Sequence, residues 1–282
     1  MKRLIVNGDD FGHSREVNAG IIRAHREGIL TSTSLMVAEP ARDEAAALAK
    51  ENPALDVGLH LVVCMGRSVL PASEIAPVVD ALGNFSNQPV LSGLRYFFTP
   101  GIRNKLIAEC RAQIELHLKL IGYLNHIDGH LNFHVHPAIA DIVVELTHEY
   151  KVPCIRLPAE PVFTTLAVSR EHLAGKLVEA LIFRALSRRT RRIATECGIK
   201  STQRLFGLHQ THRITEDYVA GVLNRLPDGL TEFYFHPAID IGGTPPTPAS
   251  QIETEVLTSG RVRETIASRG IKLTTFGEIA SE

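Results

Sequence analysis

Short apolar runs alternate with longer amphipathic stretches along the whole chain. Leu4-Ile5-Val6 is a β-branched run followed by the polar stretch from Asn7 to Gly12, which reads as a buried strand ending in a loop. Ser14 is placed to cap a helix in which Val17, Ile21, Ile22 and Ala24 keep helical spacing as far as Gly28. Residues 31–37 predict a second strand, residues 41–50 an alanine-rich helix stopped by Pro53, and residues 57–63 a third strand carrying His60. Leu106, Ile107, Cys110, Ile114, Leu118 and Ile121 make 102–121 an amphipathic helix. Further helices are expected at 139–150, 171–198, 216–226 and 252–268, and strands at 153–158, 205–207, 231–237 and 271–274. Strand–helix alternation of this kind builds a parallel sheet with crossover helices. Seven or eight such units suggest a closed or partly closed α/β barrel, one domain over residues 1–282, with 66–100 and 160–204 as excursions over the site.

Composition narrows the class. The chain has 282 residues, 44% of them hydrophobic, which is enough for a sizeable core. The net charge of −1 gives no general electrostatic case for nucleic acid. Cys64, Cys110, Cys154 and Cys197 are far apart with no Cys-x-x-Cys pair, and read as free thiols of a reducing cytoplasm. The apolar run near Met1 is too short for a signal peptide, and no stretch approaches a membrane span.

The chemistry-bearing residues sit where strands end. Asp9 and Asp10 follow the first strand and His60 lies on the third. His126, Asp128, His130, His134 and His136 crowd into one stretch; Arg156 and Glu160 follow the next strand, and His236 a late one. In parallel α/β folds the carboxyl ends of the strands face the ligand crevice, so this architecture would bring these residues to one mouth. Adjacent carboxylates directly after a buried strand are costly without partners, and a metal on one would stabilise both. His130 and His134 have the spacing of a metal pair on a helix, but Gly129 and Asn132 favour a loop. His134 and His136 could equally be supporting or surface residues. His25, His117, His148 and His172 fall in expected helices and read as solvated. One Asp with two His makes a mixed site for a divalent ion, zinc or magnesium. A second carboxylate as base and a histidine as acid complete a plan for amide or ester hydrolysis.

Asn7-Gly-Asp-Asp-Phe-Gly12, Gly58-Leu-His60-Leu and His126-Ile-Asp-Gly-His130 together resemble the YdjC-like carbohydrate deacetylases, the chitooligosaccharide deacetylase type. Arg23-Ala-His-Arg-Glu-Gly-Ile-Leu30, Ile155-Arg-Leu-Pro-Ala-Glu-Pro161 and Leu205-Phe-Gly-Leu-His209 resemble the hopanoid-biosynthesis deacetylases of the HpnK type within that family. The resemblance implies a distorted or incomplete TIM-like barrel and one divalent metal ion held by Asp10, His60 and His130. It implies Asp9 as the base, His236 as the acid and Arg156 as the residue that steadies Asp9. His126, Asp128 and His134 are expected to support the ligands, with His126 and Asp128 orienting His130. Phe11 and Glu160 are the expected substrate contacts. Gly8, Gly129, Leu131 and Asn132 depart from the family's usual motifs without touching an implied ligand.

The implied reaction removes acetate from an N-acetylated amino sugar: an N-acetylglucosaminyl hopanoid lipid or a chitooligosaccharide. Residues 176–192 set Leu177, Leu181, Ile182 and Leu186 beside Arg184, Arg188, Arg189, Arg191 and Arg192. That helix could lie on an anionic membrane, or pack on the barrel with a solvated basic face. The expected location is cytoplasmic, with peripheral contact to the inner membrane and a homodimer both open. A glycoside hydrolase using Asp9 with Asp128 or Glu160, and a non-catalytic sugar- or metal-binding protein, are the competing readings.

Overall fold

A computed structural model describes residues 1–282. Eight strands form one parallel sheet: β1 (Lys2–Phe11), β2 (Ser32–Leu35), β3 (Asp56–Leu61), β4 (His126–Gly129), β5 (Cys154–Ile155), β6 (Arg204–Phe206), β7 (Gly229–Phe235) and β8 (Ile271–Leu273). Their spatial order is β5-β4-β3-β2-β1-β7-β6, with β8 on β1. Helices cover the sheet, so β1 is buried over most of its length and reads as a continuous apolar run at Leu4-Ile5-Val6.

The sheet curls into a distorted, TIM-like barrel. β1 pairs with β7 from Lys2 to Gly8, while its other edge is shared: β8 pairs with Lys2–Leu4, and β2 with Asn7–Phe11. The two ends of the sheet meet at a seam with no regular ladder. There Ile155 N–H donates to the Lys200 carbonyl (3.0 Å), Lys200 N–H to Pro153 (2.8 Å) and Leu205 N–H to Ala159 (3.4 Å).

Several elements differ from the sequence reading. The first strand does not stop at Val6 but runs through Phe11, because tertiary partners bond the Asn7 amide and the Asp9 carboxylate. Its register with β2 shifts between Gly8 and Phe11, and Asp10 has φ 67. Such a bulge re-aims side chains beside a site. The helix expected at 252–268 is two, Pro248–Thr258 and Gly260–Ser268, with the Ser259 side chain capping the second. Helices Val162–Val168 and Phe276–Ala280 carried no period long enough to read. Residues 66–100 contain helices Ala72–Ile75 and Pro89–Phe98. His117 is buried rather than solvated, because it continues the apolar face that Cys110 and Ile114 set on helix Ile102–Ile121.

Candidate active site

The barrel interior is polar at its centre. Arg156, just past β5, is among the largest fully buried side chains. Its Nη1 and Nη2 donate to the two carboxylate oxygens of Asp9 at 2.7 and 2.8 Å, a bidentate pair. Its Nη2 also meets Asp128 Oδ2 at 2.9 Å, and its Nε donates to Glu232 Oε1 at 2.7 Å. The Tyr234 ring lies 4.8 Å from the guanidinium carbon. Burial works against the Arg156 charge, but Asp128, Asp9 and Glu232 outweigh it and hold its pKa well above the usual value. Burial pushes Glu232 up to about 7 even though Arg156 pulls the other way.

Asn7 and Ser34 complete this cluster. Asn7 Nδ2 donates to Asp9 Oδ1 and to Ser34 Oγ, both at 2.8 Å, and Ser34 Oγ donates to Asp128 Oδ2 at 2.8 Å. Asp9 Oδ2 has Arg156 as its hydrogen-bond partner and keeps a lone pair available.

Asp10 turns away from this cluster. Its Oδ1 lies 3.2 Å from His60 Nε2 and 3.1 Å from His130 Nδ1. The three offer ligand atoms within 4.8 Å of one another. Asp128 Oδ1 sits 2.7 Å from His60 Nδ1, which puts a proton on Nδ1 and aims Nε2 at Asp10 and the shared space. Burial opposes charge on His60, yet Asp128 and Asp10 push its pKa up to about 10. Asp10 is driven the other way: burial raises it, but His130 and His60 hold it well below the carboxylate range. Two imidazole nitrogens, a carboxylate oxygen and a carboxylate behind one imidazole are a donor set that fits a divalent ion.

The histidine-rich stretch divides by role. His130 reaches Asp10, helped by the left-handed residues Leu131 and Asn132 that follow it. His126 does not orient His130: it is fully buried, stacked on Phe276 with ring centres 3.9 Å apart, in space left by Gly58. A Cβ on Gly58 would lie 2.2 Å from its ring. Asp128 orients His60 rather than His130. His134 Nε2 donates to the Arg156 carbonyl at 3.0 Å, and His136 caps helix Pro137–Glu149 by accepting from Ala138 N–H.

Phe11 cannot contact substrate, since it is wholly buried in the main apolar core. The Glu160 carboxylate is occupied by Thr165, by Tyr218 and by the His209 backbone N–H. It lines a neighbouring cleft rather than the cavity over Asp10.

Asp9, Asp10, His60, His130 and His236 all reach one cavity of about 650 Å³. His236 follows β7, and its backbone N–H donates to Glu253 Oε2 at 2.5 Å. Burial holds the His236 pKa low, against the pull of Asp10 and Asp9. Glu232 and Glu253 were not found from sequence. A signal for Glu232 exists: Glu232, Tyr234 and His236 alternate with the core residues Phe233 and Phe235, so period two places all three on one face.

The YdjC-like protein profile matches residues 3–268. This chain belongs to the YdjC-like family. Among its YdjC-like relatives, a protein named carbohydrate deacetylase from Geobacillus stearothermophilus is 32% identical over 280 residues, covering 97% of this chain and 96% of that protein. A carbohydrate deacetylase from Brevibacillus brevis is 41% identical over 156 residues, 55% of this chain and 59% of that protein. A crystal structure from Enterococcus faecalis, of a protein named for cellobiose-phosphate cleavage, aligns with TM-score 0.77 at 25% identity and covers 99% of this chain and 98% of that one. The YdjC-like barrel seen here is therefore shared nearly end to end.

Proposed function

We propose that this protein is a metal-dependent hydrolase that removes acetate from an N-acetylated amino sugar. The observation that carries the reading is the pairing of two aspartates. Asp10 joins His60 and His130 as a three-donor set, while Asp9 is held by Arg156 beside it in the same cavity. The carbohydrate deacetylases among its relatives support the same reaction.

Asp10, His60 and His130 would hold the ion, zinc or magnesium. A divalent ion in such a site supplies Lewis-acid polarisation of a carbonyl and a more acidic water. Asp9 Oδ2 accepts the proton of the attacking water, and Arg156 fixes that carboxylate's charge and direction. The water oxygen bonds to the acetyl carbon, the carbon–nitrogen bond breaks, and His236 delivers a proton to the departing amine. Acetate and the free amino sugar are the products. Glycoside cleavage needs two carboxyl groups flanking a sugar, and Asp9 and Asp128 are both buried against Arg156 with no room between them.

The finer reading is a glycolipid substrate, an N-acetylglucosaminyl hopanoid. An apolar cleft of about 590 Å³, lined by Phe163, Leu177, Leu181 and Leu208, adjoins the reaction cavity through Phe183, Leu208 and His209. Helix Leu173–Glu196 exposes Leu177, Val178, Leu181 and Ile182 beside it, and Arg184, Arg188 and Arg192 are exposed further along. Such a face suits the surface of an anionic membrane. No helix is long and apolar enough to cross one. Mass spectrometry of acetate release from N-acetylglucosaminyl bacteriohopanetetrol and from diacetylchitobiose tests both levels. Release from the lipid alone supports the hopanoid reading, and release from chitobiose alone replaces it with an oligosaccharide. Chain shortening without acetate would overturn deacetylation.

A further inference from the structure

A second group of ligand side chains at the same mouth takes no metal in the reaction above. His212, His236 and Glu253 each offer one ligand atom, and these atoms lie within 4.8 Å of one another. They come from three separate parts of the fold. His212 (φ 60) lies in the loop after β6, His236 follows β7, and Glu253 sits on helix Pro248–Thr258. The His212 and His236 ring centres are 5.0 Å apart.

Glu253 is wholly buried, and its Oε1 has no hydrogen-bond partner. His236 Nδ1 is also buried and unpartnered, 4.0 Å from Glu253 Oε2. Buried polar atoms without partners are costly, and two of them side by side ask for a shared occupant. A third combination, Asp9 with His60 and Asp128, is as tight, but the Arg156 guanidinium already bonds Asp9 and Asp128 there.

We propose that His212, His236 and Glu253 form a second divalent-cation site, distinct from the Asp10–His60–His130 set, that takes a zinc-class transition ion. Two imidazoles and one carboxylate match zinc with an open position, whereas magnesium favours a largely oxygen, octahedral shell. His212 is exposed, so the site opens to solvent. An ion on His236 Nδ1 excludes a proton there, leaving an Nε2–H that is a far weaker acid than imidazolium. Under the proposed deacetylation, zinc in excess then slows turnover.

The test is equilibrium dialysis of the metal-stripped full chain against zinc, with elemental analysis. Wild type is expected to take up two ions per chain, and His212→Ala, Glu253→Gln and Asp10→Asn one each. Circular dichroism checks that Glu253→Gln folds; His212 is exposed, and its removal leaves the core untouched. Saturation of the wild type at one ion, or two ions still bound by His212→Ala, overturns the site. Zinc inhibition of acetate release that disappears in His212→Ala supports the link to His236, and inhibition unchanged in that variant refutes the link. Two-ion uptake without acetate release from any substrate would count against the deacetylase reading alone.

Discussion

The two sides of the cavity are built differently. Around Asp9, charges are paired: Arg156 bonds three carboxylates, and Asn7 and Ser34 bridge Asp9 and Asp128. Around His236, polar atoms are left over: its own Nδ1 and Glu253 Oε1 are buried without partners. The Arg156 guanidinium among three carboxylates fixes geometry and charge before substrate arrives, as suits the proposed base, although Asn7 Oδ1 and Glu232 Oε2 are buried without partners there too. The His236 side holds no such cation, which leaves room for a proton or an ion to come and go, as suits the proposed acid.

Breaking the paired side should have the largest effect. Arg156→Ala leaves Asp9, Asp128 and Glu232 buried without their cation, and removing one partner of a buried ion pair costs about 3–5 kcal/mol. Chemical denaturation should show that loss, together with loss of acetate release. Stability within about 1 kcal/mol of wild type would mean the network is not the structural centre it looks. His130→Ala should abolish both ion binding at the Asp10 set and turnover, read by elemental analysis and acetate release on one sample.

The unpaired side should respond more gently. His236→Ala should lower kcat by roughly 10²–10⁴ with little loss of stability, the range of general-acid contributions. Full activity in that variant would remove His236 from the chemistry.

The smallest effect sharpens the comparison through pH. Burial holds His117 at about 3 and His134 at about 4, against 6.5 for an unfolded histidine. Their folded values lie below the unfolded one, so the unfolded chain binds more protons in acid. Their stabilising contribution is therefore complete above about pH 6.5 and is lost as pH falls towards 4 and 3. His60 has the opposite sign in metal-free protein: its contribution is complete below 6.5 and lost as pH rises towards about 10. Denaturant midpoints of metal-free protein between pH 4 and 8 check the acid limb. His117→Gln should flatten it.

The same contrast explains what could be read from sequence. That Asp9, Asp10, His60 and His130 share one cavity was legible because each lies at a strand end within a short motif, and the barrel brings strand ends together. Arg156 followed from the same rule. Glu253 was not legible, because it lies inside a helix and its partner is set by how that helix docks under β7. The end of β1 was misplaced because Asn7 and Asp9 look like loop residues until their partners, Ser34 on β2 and Arg156 just past β5, are known. Phe11, next to Asp10 and expected to contact substrate, is buried in the core. The left-handed Asp10 sends the two side chains apart, one to the cavity and one to the core.

The most direct test separates the two aspartates. Asp9→Asn removes the proposed base while keeping the side chain's size and the Asp10–His60–His130 donors. Metal content and acetate release should be measured on the same preparation. The expected result is an Asp10-set ion bound as in wild type with acetate release reduced by at least about 10²-fold. Wild-type acetate release from Asp9→Asn, with the ion in place, would contradict the division of labour between Asp9 and Asp10.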